Sequence, residues 1–179
     1  MIGLNNMLKF LHLNGIKRLI FLFLVNKIFV GTRNFSFPIK RKLLISIGIK
    51  IGNNSKIVGP IECTGTLIIG DDCWIGKNFK VNGNGKVIIG NRCDIGPEVT
   101  FQTGSHQIGN RKRRAGEGVK LEQNVGSGTW IGGRTTILNN IVIGNSCVIA
   151  GCSCVVKDIE DNILVGGVPA KIIRRLGND

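Results

Sequence analysis

Aliphatic residues recur at every sixth position through the middle of the chain. Stepping from Ile51 meets Ile57, Cys63, Ile69, Ile75, Val81 and Val87. The register then slips by two to Ile89, Ile95 and Phe101, and after an interruption it resumes as Val125, Ile131, Ile137, Ile143, Ile149 and Val155. Neither the helical period of about 3.6 nor the strand period of 2 produces this spacing. Glycine often follows the aliphatic position, as at Gly52, Gly70, Gly76, Gly90, Gly96, Gly126, Gly132 and Gly144. A three-sided β-solenoid accounts for both features: each hexad supplies one short strand and one corner, the aliphatic side chain points into a narrow prism, and glycine permits a tight corner. Three hexads make one coil, coils stack about 4.8 Å apart, and residues 51–160 hold roughly five of them.

The flanks read differently. Leu4, Leu8 and Leu11, then Ile16, Leu19, Ile20 and Phe23, fall at helical spacing, with Gly15 separating two short helices. A solenoid needs its open end covered, so this segment is expected to cap the prism. The alternative is interfacial membrane docking through Phe21, Leu22 and Phe23 with Lys17 and Arg18. The chain thus divides into a basic, apolar helical segment (1–50), a solenoid (51–162) and a tail (163–179). Pro169 followed by Ala-Lys-Ile-Ile-Arg-Arg-Leu predicts a short helix in that tail. The hexads are broken over 107–124 by a loop carrying Arg111, Lys112, Arg113 and Arg114 in a row; a loop of this length is usually functional or disordered.

Composition sharpens this picture. Glycine numbers 26 of 179 residues, without the Gly-X-Y period of collagen. Tyrosine is absent and aromatics are only 6%, which argues against a base-stacking platform. The net charge of +13 is unevenly placed: residues 1–50 hold nine Lys/Arg and no acid, and the first carboxylate is Glu62. Such a start suits an anionic surface, such as lipid headgroups or an acidic glycan. Charge is all that would support nucleic acid, and none is expected as a partner. The apolar run Leu19–Val25 is too short to span a bilayer. Six cysteines without a CxxC pair or a secretory cleavage pattern predict a reduced, cytoplasmic chain, with the inner membrane face as the site of any lipid contact. Cys73, Cys93 and Cys147 each fall four residues after a hexad aliphatic, where a solenoid wants a small inward side chain. Cys152 and Cys154 lack further ligands, so no metal is expected.

Three segments carry a resemblance to a known family. Ile95-Gly-Pro-Glu-Val-Thr-Phe-Gln-Thr-Gly-Ser-His106 is similar to the strand leading to the catalytic histidine of the hexapeptide-repeat acyltransferases. Trp130-Ile-Gly-Gly133 is similar to their WIGG corner, and Gly166-Gly-Val-Pro-Ala-Lys-Ile-Ile-Arg174 to their GxPAK tail. The likeness covers about 51–176 and lies toward the sugar and polysaccharide O-acetyltransferases, akin to the maltose and nodulation enzymes. It implies a left-handed parallel β-helix, acetyl-CoA as acyl donor, and a homotrimer with active sites between subunits.

The resemblance also implies roles for individual residues. His106 is expected to be the general base, a task for which imidazole titrates in the right range; His12 reads as a cap or surface residue. Glu117 is the candidate to orient His106. Asn82, and more weakly Asn84, are candidates for the sugar acceptor. Lys157, Lys171 and Arg174 are expected to meet the coenzyme A phosphates, and Gly151 its pantetheine. Trp130 is placed against the cofactor or between subunits. Backbone N–H groups at Gly132 and Gly133 are candidates for the oxyanion. The expected function is O-acetylation of a sugar hydroxyl on a surface polysaccharide or its precursor. The alternatives are a small acceptor (a free or nucleotide-linked sugar, or an antibiotic) and a non-enzymatic scaffold. Serine acetylation fits less well, because 50 residues leave no room for a long helical domain. A zinc carbonic anhydrase of this fold is excluded, since three histidine ligands are needed and the chain has two histidines.

Overall fold

The computed structural model describes residues 15–177; Leu4, Leu8, Leu11 and His12 lie outside them. Each coil contributes one short parallel strand to each of three faces. Coil one is β1 (Lys50–Ile51), β2 (Lys56–Ile57) and β3 (Ile61–Cys63); coil two is β4 (Thr66–Ile69), β5 (Trp74–Ile75) and β6 (Phe79–Asn82); coil three is β7 (Lys86–Ile89), β8 (Asp94–Ile95) and β9 (Thr100–Gln102). A hairpin of β10 (Gly104–Ile108) and β11 (Ala115–Lys120) then leaves the prism. Coil four is β12 (Glu122–Val125), β13 (Trp130–Ile131) and β14 (Thr136–Ile137), and coil five is β15 (Ile141–Ile143), β16 (Val148–Ile149) and β17 (Cys154–Val155). A sixth, incomplete coil bridges Ile159 to Ile143 and ends in β18 (Ile163–Gly166). The faces stack in the orders β1-β4-β7-β12-β15, β2-β5-β8-β13-β16-β18 and β3-β6-β9-β14-β17.

The hexad residues are the core. Ile57, Ile75, Ile95, Ile131 and Ile149 are fully buried, as are Val81, Phe101 and Ile137. A second inward column runs through Ser55, Cys73, Cys93, Thr129 and Cys147. Its members donate to corner carbonyls of the next coil, as Cys73 Sγ does to Gly90 O (3.0 Å) and Thr129 Oγ1 to Gly144 O (2.9 Å). Burial pushes the Cys63 and Cys147 thiols up, away from the reactive thiolate. The register slip has a local cause. Ile51 pairs with Ile69, but Ile69 pairs with Ile89, two residues further than a coil requires. Val87 and Ile89 both point inward from β7, and the extra length lies in the Gly83–Gly85 corner.

The chain start covers the prism. A helix, α1, runs over 15–23 with Gly15 already helical, and closes in a π-helical turn, Leu24–Ile28. A second helix, α2 (Ser36–Ser46), follows, with Pro38 tolerated in its first turn. Outside the strand ladders, corner N–H groups of coil one donate to coil two, as in Gly52 to Ile69 O and Val58 to Ile75 O. Together with the Ile61 N–H, coil one presents five carbonyls to the cap. Each is met by a donor from the cap: Ile51 and Gly52 by Arg41 (3.2 and 2.7 Å), Val58 by Gly31 N–H and Lys40 (2.9 and 3.1 Å), Ile61 by Asn26 (2.9 Å) and Cys63 by Arg18. Asn26 also accepts from Ile61 N–H (2.9 Å), so its side-chain amide stands in for the missing strand beside β3.

The tail corrects the sequence reading. Lys171–Arg175 is a strand, β19, and no helix forms there; it turns back antiparallel to β18. The physical reason is β18: its free edge supplies main-chain partners that an isolated tail helix would lack, and β-branched Ile172 and Ile173 favour the extended form.

Candidate active site

The corner between the third and first faces is built to release the hairpin. Thr103, the last residue before β10, donates its N–H to Asn82 O (2.7 Å), and its hydroxyl accepts from Gly85 N–H (3.2 Å). Leu121, the first residue after β11, donates to Thr103 O (2.8 Å). Glycine is required beneath both legs. A Cβ on Gly83, whose φ is +106°, would lie 2.2 Å from Gly104 N, and one on Gly85 would lie 2.0 Å from Leu121 O. Buried Gln123 locks the root from the other side: Nε2 lies within hydrogen-bond distance of Gln102 O, Ile137 O and Asn139 O (3.1, 3.2 and 2.9 Å). The excursion expected over 107–124 is thus an ordered hairpin over 104–120, and Gln123 and Val125 already belong to the core of coil four. Its tip carries exposed Arg111, Lys112 and Arg113, with Asn110 Oδ1 accepting from Lys112 N–H (2.9 Å).

His106 stands exposed on β10, opposite Gly118. Its Nδ1 lies 2.9 Å from Gly116 O. A carbonyl can only accept, so Nδ1 carries the proton and Nε2 is left with its lone pair toward solvent. Glu117 lies between the two glycines on β11 and makes no hydrogen bond to the imidazole among the described residues. The contact with the imidazole that was expected of Glu117 is made by the main chain at Gly116. Asn82 and Asn84 flank the hairpin root, the first half-exposed and the second exposed. Asn82 borders a polar groove on the third face with Lys80, Thr100 and Gln102. The structure therefore brings His106 and both asparagines to one corner.

The coenzyme candidates lie elsewhere. Gly132, Gly133 and Gly151 sit at the corner between the second and third faces, where coil four closely approaches both neighbours: a Cβ on Gly132 would lie 2.4 Å from Gly151 N of coil five, and one on Gly133 3.0 Å from Pro97 O of coil three. Gly132 N–H donates to Ile149 O (2.8 Å), so it is not free for an oxyanion, a correction to the expected pair. Trp130 is 57% exposed on the second face, in register with Asp94 and Val148. Lys157 and Lys171 line one cavity of about 440 Å³ at the open end of the prism, walled by Val155, Ile163, Val165 and Ile172. Arg174 lies on β19 opposite Leu164. Among the described residues, no group of three or more His, Cys, Asp or Glu side chains converges as a metal site.

Sequence reasoning missed Gly116, because a main-chain carbonyl has no residue signature. It also missed Gln123, whose only signal was a polar residue at an inward hexad-flanking position.

No family model matches the chain. It is 30% identical over 146 residues to the galactoside O-acetyltransferase of Escherichia coli, covering 78% of this chain and 70% of that one. It is 34% identical over 129 residues to a Saccharomyces cerevisiae protein named as an acetyltransferase, covering 64% of this chain and 66% of the yeast protein. Among solved structures, a hexapeptide-repeat acetyltransferase of Vibrio cholerae complexed with acetyl coenzyme A superposes with a TM-score of 0.76 at 26% identity, covering 90% of this chain and 86% of that one. The prism, its hairpin histidine and these likenesses agree, and the chain belongs to the hexapeptide-repeat acetyltransferases, on the branch of the sugar O-acetyltransferases.

Proposed function

We propose that the protein transfers an acetyl group from acetyl-CoA to a sugar hydroxyl of a surface polysaccharide or its precursor. The observation that carries this reading is the Nδ1 contact of His106 with Gly116 O, which leaves Nε2 as a base facing solvent. Nε2 takes the hydroxyl proton as the acceptor oxygen attacks the thioester carbonyl. The tetrahedral intermediate collapses with cleavage of the C–S bond, and the imidazolium returns the proton to the departing thiolate. Glu117, one residue from Gly116, has a longer-range part in stabilising the imidazolium. Asn82 and Asn84 hold the sugar. The exposure of His106 on a projecting hairpin suits a large acceptor better than a small one.

Lys157, Lys171 and Arg174 suit the phosphates of coenzyme A, and the Gly132–Gly133 and Gly151 corner with Trp130 suits its pantetheine arm. The glycines and Trp130 lie away from the His106 corner, and Lys157 lies on the same corner as His106 but two coils further on. A neighbouring copy is what would unite them, in keeping with a homotrimer.

The test is thiol release from acetyl-CoA in the presence of galactoside, maltoside and polysaccharide acceptors, beside calorimetric binding of acetyl-CoA. His106→Asn should lower kcat about 100-fold or more and leave acetyl-CoA affinity unchanged. Equal rates in the variant would remove His106 as the base. No binding at millimolar acetyl-CoA would leave a scaffold.

A further inference from the structure

We infer that the outer face of the N-terminal cap docks on an anionic lipid bilayer while its inner face holds the prism. Helix α1 is apolar on more sides than its packing uses. Val25 is fully buried, Leu22 packs against the core, and Arg18 and Asn26 are fixed on coil-one carbonyls. That inner face includes Arg18 and Leu22, two residues first read as membrane-facing. The opposite side presents Ile16, Leu19, Ile20 and Phe23, spaced i, i+3, i+4, i+7, with Leu19 73% and Phe23 56% exposed. Ile28, in the turn that closes α1, Phe35, before α2, and Ile39, on α2, are exposed as well. A soluble surface seldom leaves so many large apolar groups uncovered together.

Charge selects the occupant. Lys17, Lys27, Arg33 and Lys42 are exposed on the same segment, and no carboxylate precedes Glu62, which is itself paired with Lys80 at 3.4 Å. A second copy brought face to face would set cation against cation. Anionic headgroups meet the lysines, and the acyl boundary meets the leucine, isoleucine and phenylalanine side chains, as for a helix lying in the interface plane. Crossing is a different matter: no described helix is long and apolar enough to span a bilayer, and insertion would strip Arg18 and Asn26 from coil one. The His106 hairpin leaves after coil three, two coil rises or about 10 Å above coil one. A sugar carried on a membrane lipid would then come within range of the active corner, a consequence that rests on the proposed acetyl transfer, whereas the docking itself does not.

The experiment is co-sedimentation of the full chain with vesicles of 30% phosphatidylglycerol in phosphatidylcholine at 0.1 M salt, beside pure phosphatidylcholine. Wild type should pellet at least tenfold more strongly with the anionic vesicles. Leu19→Glu/Phe23→Glu should lose that binding tenfold or more while melting within a few degrees of wild type, because both side chains are exposed. Lys17→Gln/Lys27→Gln should lose the preference for anionic lipid. Wild type remaining in the supernatant, or pelleting as well after Leu19→Glu/Phe23→Glu, overturns the inference. So does a concentration-dependent oligomer without vesicle binding that the same variant dissolves, which would make a second copy the occupant. No acetyl transfer is measured, so failure here is distinct from failure of the proposed reaction.

Discussion

The two ends of the prism solve opposite problems. Most corner N–H groups donate onward to the next coil's carbonyls and a smaller set donates back, as Asp72 does to Asn53 O and Ser146 to Ser127 O, so the free end of the first coil is richer in acceptors and that of the last complete coil richer in donors. At the first end Arg18, Asn26, Lys40 and Arg41 supply the missing hydrogens. At the other, Ala150, Cys154 and Gly144 N–H donate to Val165, Gly167 and Ile159 carbonyls, and Asp158 and Asp161 carboxylates accept from Val142 and Asn145 N–H (2.8 and 2.6 Å). This bias gives Arg18, Lys40 and Arg41 at one end and Asp158 and Asp161 at the other a main-chain task. It also leaves one end sealed by two helices and the other with the open cavity lined by Lys157 and Lys171. Positive charge at the start is in part hydrogen-bond chemistry, and only the exposed cations are left for a partner.

The largest effect should come from breaking the sealed end. Asn26→Leu keeps the volume but strands the N–H and C=O of Ile61 at once, and should cost about 3 kcal/mol, or roughly 6–12 °C of melting temperature for a chain of this size. Thermal unfolding checks it; a loss below about 1 kcal/mol would mean that water replaces the amide and the end is not sealed. Lys40 sharpens the same point through pH. Its side chain is fully buried, its Nζ donates to Gly31 O (2.7 Å) and Val58 O (3.1 Å) and lies 4.5 Å from the centroid of the Phe37 ring. Burial pushes its ammonium down to about 8. Between there and the ordinary lysine value the unfolded chain holds a proton that the folded chain has released, so stability attributable to Lys40 rises with pH across that window, and the cost of burying the charge is complete below it. Melting of wild type and Lys40→Met followed from pH 7 to 10 should show their difference shifting in favour of wild type. A constant difference would refute the buried cation.

The prism was legible because its inward positions repeat: a residue such as Ile75 is read five times over by its equivalents in other coils. The hairpin was legible only as an interruption, since Gly116, Gly118 and exposed polar neighbours on both sides erase strand alternation. His106 was found through a motif, but its partner was hidden in the main chain. Lys171–Arg175 was misread because Ala170, Lys171 and Leu176 are good helix formers. The edge of β18, invisible in the local sequence, overrode that propensity. The basic start was legible as charge, not as a set of hydrogen bonds to coil-one carbonyls that only the folded cap brings within reach.

The smallest effect tests the donor end. Asp161 Oδ1 accepts from Asn145 N–H at 2.6 Å, continuing a ladder in which Asn145 serves Ser127 (2.9 Å) and Ser127 serves Asn91 (3.0 Å). Unlike Ile61, these groups lie on an exposed corner, where water can replace a lost acceptor. Asp161→Ala should therefore cost about 1 kcal/mol, a third of the Asn26→Leu loss although each removes a side chain that terminates the stack. Arg175→Ala, breaking only the exposed ion pair with Glu160 at 3.0 Å, should fall within about 0.5 kcal/mol and marks the floor. Were Asp161→Ala to match Asn26→Leu, solvent access would not distinguish the ends, and the cap would be one of two equivalent terminations.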